Sequence, residues 1–256
     1  MEVYRRSQYF DEYIVPGSES MGYLESVHSA NEYDEMTRAC LSRYCSGGRL
    51  LDVGCAGGRF LALVEQAGYE GYGLEPNAQM AAHARETLGL KVVEGTLQDA
   101  RERFGPSFFE IIHLADVLEH LWDLHGAFEE ISYLLKGGGL LILQQPMTYH
   151  WTLFNLFLRL NMLMKKNRYS VFPPLHLWEF TPSSLRDVLS QKGFQVLHFR
   201  TFESKPKPIF IYSDPSVKKR IAFSVKALSC AISNFRISSF LYFQNSLASY
   251  HGLVVG

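Results

Sequence analysis

The chain has 256 residues, of which 47% are hydrophobic and 20% charged, with a formal net charge of −1. That supplies enough apolar material for one large core, and no charged block is long enough for a disordered tail. The opening "MEVYRRSQYFDEY" lacks an apolar leader and no run of about 18 apolar residues follows, so a cytoplasmic protein without a membrane span is expected.

In chain order, residues 1–45 read as a helical lead-in or lid, with turn chemistry at "VPGSES" and a helix, "DEMTRACLSRY", stopped by Gly47-Gly48. Strand and helix then alternate. "RLLDVG" is a short buried strand and "GRFLALVEQAG" a helix. "EGYGLEP" is a second strand, followed by a helix, "NAQMAAHARETLG", with Asn77 as its N-cap. "KVVEG" and "FFEIIHLAD" are strands. "LHGAFEEISYLLKGGG" is a helix with a glycine stop, and "LLILQQP" a strand closed by Pro146. Beyond it, "WTLFNLFLRLNMLMKK" is apolar around most of its circumference and "FPPLHLWEFT" is a proline-stiffened loop. "TPSSLRDVLSQKG" is a helix with Thr181 as cap and Pro182 at its first position. "FQVLHFRTF" and "YHGLVVG" are the last two strands, separated by a basic helical stretch over 217–243.

The alternation predicts an α/β fold: a doubly wound, mostly parallel seven-stranded sheet with a lid inserted near 147–175. One domain is expected over 1–256, with a core at 46–146, the lid at 147–176 and further helices and strands at 177–256. The halves differ in charge: residues 1–150 carry a balance of −11 and residues 151–256 one of +10. Either the two halves pack against each other, or the basic half meets an anionic partner. Cys40, Cys45, Cys55 and Cys230 show neither C-x-x-C spacing nor a histidine at zinc spacing, so free thiols are expected.

The chemistry concentrates in "RLLDVGCAGGRFL". A strand feeding a glycine-rich turn and then a helix allows close backbone approach to a ligand and offers free N–H groups. The next strand ends at Glu75, 23 residues after Asp52, where a carboxylate can accept from both ribose hydroxyls of a nucleoside. A dinucleotide fingerprint requires G-x-G-x-x-G; here Ala56 and Arg59 occupy the second and third glycine places.

"LLDVGCAGG", "GLEP" and "FFEIIHLADVLEHL" together resemble three motifs of the class I S-adenosylmethionine-dependent methyltransferases. The resemblance runs over about residues 45–200, and "HLWEFTPSSLRDVLSQKGFQV" is similar to the segment after the core in the small-molecule branch of that family. It implies S-adenosylmethionine as cofactor. Asp52 would lie beneath the methionine amino group, with Gly54, Cys55 and Ala56 along the backbone path and Gly58 in the third glycine place. Glu75 would hold the ribose, with Pro76 near the adenine. Thr96 and Leu97 would flank the adenine, and Leu114 and Ala115 would lie under the sulfonium. Ala56 in a glycine position fits only if its φ stays negative. The acidic residue usual after the third strand is absent.

The resemblance implies methyl transfer to a small-molecule or sugar- or lipid-linked acceptor, at oxygen. A hydroxyl acceptor benefits from a general base. His113, His120, His150, His176, Tyr149 and Tyr9 are candidates, with His176 preferred and His150 next, because His176 lies in a segment expected to fold over the cleft. Metal-dependent relatives carry an acidic-x-x-Glu-His set, which Asp116, Glu119 and His120 match in part; no metal is the primary expectation. The 151–168 segment reads as a lid helix, a peripheral membrane contact or an oligomer contact. Scattered basic residues argue against nucleic acid. Two alternatives stay open: a methyltransferase-fold scaffold without turnover, and a nicotinamide-dependent reductase.

Overall fold

The computed structural model describes residues 32–147, 160, 176–202, 224, 227–228 and 251–255. The chain divides into two compact units, Met1–Leu143 with Val254–Gly256, and Gln144–Leu253.

In the first unit, helix α1 (Glu32–Tyr44) leads into strand β1 (Arg49–Val53). Helix α2 (Arg59–Gln66), strand β2 (Glu70–Glu75), helix α3 (Ala78–Glu86) and strand β3 (Val92–Glu94) follow. A 3-10 turn at Leu97–Asp99 and the short helix α4 (Ala100–Arg103) precede strand β4 (Phe109–Ala115). A second 3-10 turn at Leu118–His120, helix α5 (Leu124–Leu134) and strand β5 (Leu135–Pro146) complete the run, the strand passing into the second unit from Gln144. The strands stand in the order β3-β2-β1-β4-β5. β1 pairs in parallel with β2 and β4, and β2 pairs in parallel with β3. The chain winds outward from β1 to β3, then returns to the other side of β1 with β4. The order therefore reverses between β1 and β4, and the crevice outside their carboxyl ends is where such sheets take ligands.

Leu50, Leu51, Ile111 and Ile112, adjacent on β1 and β4, are fully buried on both faces of the sheet. Continuous apolar runs of this kind mark parallel strands covered by helices, and each such side chain contributes about 1.5–3 kcal/mol. The expected N-caps hold: Asn77 Oδ1 accepts from the Met80 N–H at 3.1 Å. In the second unit, Thr181 Oγ1 accepts from the Ser184 N–H at 3.1 Å at the head of helix α6 (Pro182–Gln191), with Pro182 at the first position. That unit also carries strand β6 (His198–Phe202), and strand β7 (His251–Val255) runs from it into the first unit at Val254.

One boundary is corrected. The glycines at 137–139 do not end a helix. α5 stops at Leu134 and Leu135 is already extended, at φ −81°, ψ 136°, so the glycines fall inside β5. Helix α4, in "ARER", is too short to show a period. The lid segment, save Met147, Leu160 and His176, lies outside the described residues, as do nearly all of the 217–243 stretch and the lead-in to residue 31.

Candidate functional site: the loop after β1 and the ends of β2 and β4

β1 ends at Val53 and the chain turns at once. Gly54 takes φ +72°, and a Cβ there would sit 2.6 Å from Cγ2 of Val117, in the turn after β4. The amides of Gly54 and Cys55 both donate to the Leu74 carbonyl, at 2.8 and 3.1 Å, which fastens the turn to β2. Gly58, at φ +84°, caps α2, and a Cβ there would meet Leu90 at 2.6 Å and Ala84 at 3.0 Å. Both glycines are thus fixed twice, by conformation and by close packing.

Ala56 corrects the expectation of negative φ, since it stands at +47°. A left-handed alanine costs roughly 1 kcal/mol or more. Its amide is held by a carboxylate: the Ala56 N–H donates to Glu75 Oε2 at 2.8 Å.

Glu75 closes β2 and is buried, 4% exposed. Its Oε1 accepts from the Asn77 N–H at 2.8 Å, so one carboxylate ties the loop after β1 to the head of α3. Burial pushes its pKa up to about 7; the Asn77 and Ala56 amides pull the other way, and Asp52 adds to the rise. Each oxygen keeps a second lone pair for another donor. Pro76 beside it is half-buried.

Asp52 and His113 are register partners on β1 and β4. They meet in the sheet interior, Asp52 Oδ1 to His113 Nδ1 at 2.7 Å. This removes His113 from the candidate bases, because its other nitrogen is buried without a hydrogen-bond partner among the described residues. Thr96 and Leu97 are buried where β3 ends. An acidic residue does stand nearby, but Asp99 Oδ2 accepts from the Thr96 amide and hydroxyl, both at 2.8 Å, and so caps its own turn. Leu114 is fully buried and Ala115 is partly exposed at the end of β4. The Cys55 thiol packs under β2, where a Cβ on Gly73 would lie 2.6 Å from its sulfur. Burial, then the charges of Asp52 and Glu75, push its pKa well up, so it is an inert thiol.

After β4, Asp116 sits at φ +52°. Glu119 is fully buried, and neither of its oxygens has a hydrogen-bond partner among the described residues. His120 Nε2 lies 3.7 Å from its Oε1. Burial, then the Asp116 charge, push the Glu119 pKa well above the carboxylate range. The donor atoms of Asp116 do not join those of Glu119 and His120 within ligand distance of one another. His176 is in the second unit, partly exposed, and His150 lies outside the described residues.

The donor chemistry fits an adenosyl group. Two carboxylates stand at the carboxyl ends of neighbouring parallel strands, joined by a turn that is fixed in the left-handed region at Gly54, Ala56 and Gly58. Residues 28–199, well over half of the chain, match the family model described as a methyltransferase domain. The chain belongs to that family. The cofactor of this methyltransferase domain is S-adenosylmethionine.

Among relatives, the domain is similar to a ubiquinone biosynthesis O-methyltransferase of Vibrio atlanticus, 33% identical over 101 residues, covering 36% of this chain and 41% of the relative. It is also similar to one of the same name from a Ruegeria species, 27% identical over 171 residues, covering 63% of this chain and 66% of the relative. The chain thus spans about two fifths of the first relative and just under two thirds of the second. Among solved structures, it shares its fold with a SAM-dependent methyltransferase from Archaeoglobus fulgidus, at 18% identity and TM-score 0.54, covering 93% of this chain and all of that one. Among the described residues, no helix is long and apolar enough to cross a membrane.

Two links escaped sequence reasoning: the Ala56–Glu75 tether and the Asp52–His113 pair. Neither left a signal: aligning β1 and β4 at their carboxyl ends would bring Asp52 opposite Leu114, and only the observed register sets it against His113.

Proposed function

We propose that the protein transfers the methyl group of S-adenosylmethionine to an oxygen of a small-molecule acceptor, free or carried on a sugar or lipid. The observation that carries this reading is Glu75, a buried carboxylate bonded to the loop after β1 with lone pairs to spare for a ribose. Two relatives named as O-methyltransferases support the choice of oxygen. The cofactor supplies a strongly electrophilic sulfonium methyl, so the protein's work is to bind, to orient and to exclude water.

In this reading Asp52 accepts from the ammonium of the methionine tail and Glu75 from the ribose hydroxyls. The backbone of Gly54, Cys55 and Ala56 runs beside the tail, and Gly58 lets α2 start close behind. Pro76, Thr96 and Leu97 border the adenine, and Leu114 and Ala115 underlie the sulfur. His176 removes the proton from the acceptor hydroxyl as the oxygen attacks.

Calorimetry with S-adenosylhomocysteine tests the cofactor roles: saturable binding is expected, and none at millimolar concentration would sink them. Methyl release onto a panel of phenols, sugar alcohols and amines tests the acceptor, with transfer confined to amines overturning the oxygen assignment. His176→Ala should lower kcat about a hundredfold with S-adenosylhomocysteine affinity unchanged. Unaltered turnover would discard His176 as the base.

A further inference from the structure

His113 has no place in the methyl-transfer reading as it stands. It lies in the middle of a parallel sheet, 3% exposed, between Ile112 and Leu114, which are both fully buried. Its ring packs against Phe60, centroids 4.1 Å apart, at the second position of α2, the helix that the glycine loop starts. Nδ1 meets Asp52 Oδ1 at 2.7 Å, while Nε2 is buried with no hydrogen-bond partner among the described residues. With a carboxylate as acceptor, the Nδ1 atom carries the proton.

A histidine that merely filled space here would be a poor choice. An unpaired buried nitrogen is costly, and a branched aliphatic residue would fill the same strand position without that penalty. The chain keeps the imidazole and with it one directed N–H. His113 is the hydrogen-bond partner of Asp52 among the described residues, and it engages Oδ1 alone. The bond crosses the β1/β4 boundary, where the strand order reverses.

We propose that His113 is a positioning residue for cofactor binding: its Nδ1–H fixes the Asp52 carboxylate so that Oδ2 is left to meet the ammonium of the methionine tail. This rests on the reading of Asp52 given above.

The test uses the full chain and two ligands, S-adenosylhomocysteine and 5′-methylthioadenosine, which share the thioether nucleoside but differ in the amino-acid tail. His113→Leu should weaken S-adenosylhomocysteine about tenfold, the scale of one charge-assisted hydrogen bond, and leave 5′-methylthioadenosine unchanged. His113→Asn, whose amide N–H falls near the place of Nδ1, should recover most of the loss. In an Asp52→Asn background the His113→Leu effect should vanish.

Equal weakening of both ligands would reduce His113 to a structural residue, and unchanged affinity for both would also overturn the proposal. Should His113→Leu fail to fold, His113→Asn decides: tail-selective binding close to wild type supports the proposal, and a tenfold loss shared by both ligands refutes it. If Asp52→Asn itself leaves S-adenosylhomocysteine binding intact, the underlying reading of Asp52 fails. If Asp52→Asn weakens binding while His113→Leu does not, only the present inference fails.

Discussion

Two buried glutamates stand at or just past the ends of the strands that flank β1, and they are held in opposite ways. Glu75, the last residue of β2, accepts from a backbone amide on each of its oxygens, one in the loop after β1 and one at the head of α3. Glu119, in the turn after β4, gives neither oxygen to a hydrogen bond among the described residues. Burial raises the pKa of both. The difference shows that burial alone does not define a carboxylate's role. Glu75 is part of the framework that shapes the loop, whereas Glu119 is held by no hydrogen bond among the described residues.

The largest effect should come from removing Glu75. Glu75→Ala takes the acceptor from two buried amides and should cost about 3 kcal/mol in urea unfolding, with S-adenosylhomocysteine binding abolished. A loss below about 1 kcal/mol would mean that the amides find other acceptors and that the contrast with Glu119 is false.

The same glutamate should write a pH signature. Its pKa is near 4.5 when unfolded and about 7 when folded, so the native state binds the extra proton between those values. Its stabilising share is therefore complete below pH 4.5 and fades as pH climbs to about 7, at most about 3 kcal/mol in all. Ligand affinity should run the other way, rising over that interval, because ribose hydroxyls donate best to the ionised form. Glu75→Gln should flatten both trends, and a ligand affinity independent of pH from 5 to 8 in the wild type would contradict the ribose role.

Next in size is Gly54→Ala. A methyl group at φ +72°, 2.6 Å from Val117, forces the loop and the turn after β4 apart and should cost about 2 kcal/mol. Adding Val117→Ala to that variant should return part of the stability, and no recovery would show that backbone strain, not the contact, sets the cost.

The smallest effect belongs to Glu119→Gln. Neither of its oxygens has a hydrogen-bond partner among the described residues and burial raises its pKa, so a neutral isostere should change stability by less than about 0.5 kcal/mol. A loss of 2 kcal/mol or more in thermal melts would reveal a partner for Glu119 and erase its difference from Glu75.

Much of this arrangement was legible in the residues. The strand–turn–helix at "RLLDVGCAGGRFL", the carboxylate after "GYGL" and the caps at Asn77 and Thr181 all follow from local rules, because a period, a turn or a cap is written within a few positions. What was hidden depends on contacts between distant segments. Ala56 read as needing negative φ because nothing in "GCAGG" announces the carboxylate 19 residues on that holds its amide. The glycines at 137–139 looked like a helix stop, yet pairing at the sheet outweighed their intrinsic preference. Asp99 was overlooked because its capping role is visible only once Thr96 turns. His113 read as a possible base, since a histidine's surroundings decide its use and those come from β1 and α2.

Helix α1 is tied to the glycine turn by an ion pair. Arg59, the first residue of α2, sets its Nε 2.6 Å from Oδ2 of Asp34 on α1. The guanidinium therefore bolts the entry helix to the very residue where the glycine turn hands over to α2. Any shift of that turn as a nucleoside settles must pull on α1, so a spectroscopic label on an exposed face of α1 would report occupancy from a distance, without touching the pocket.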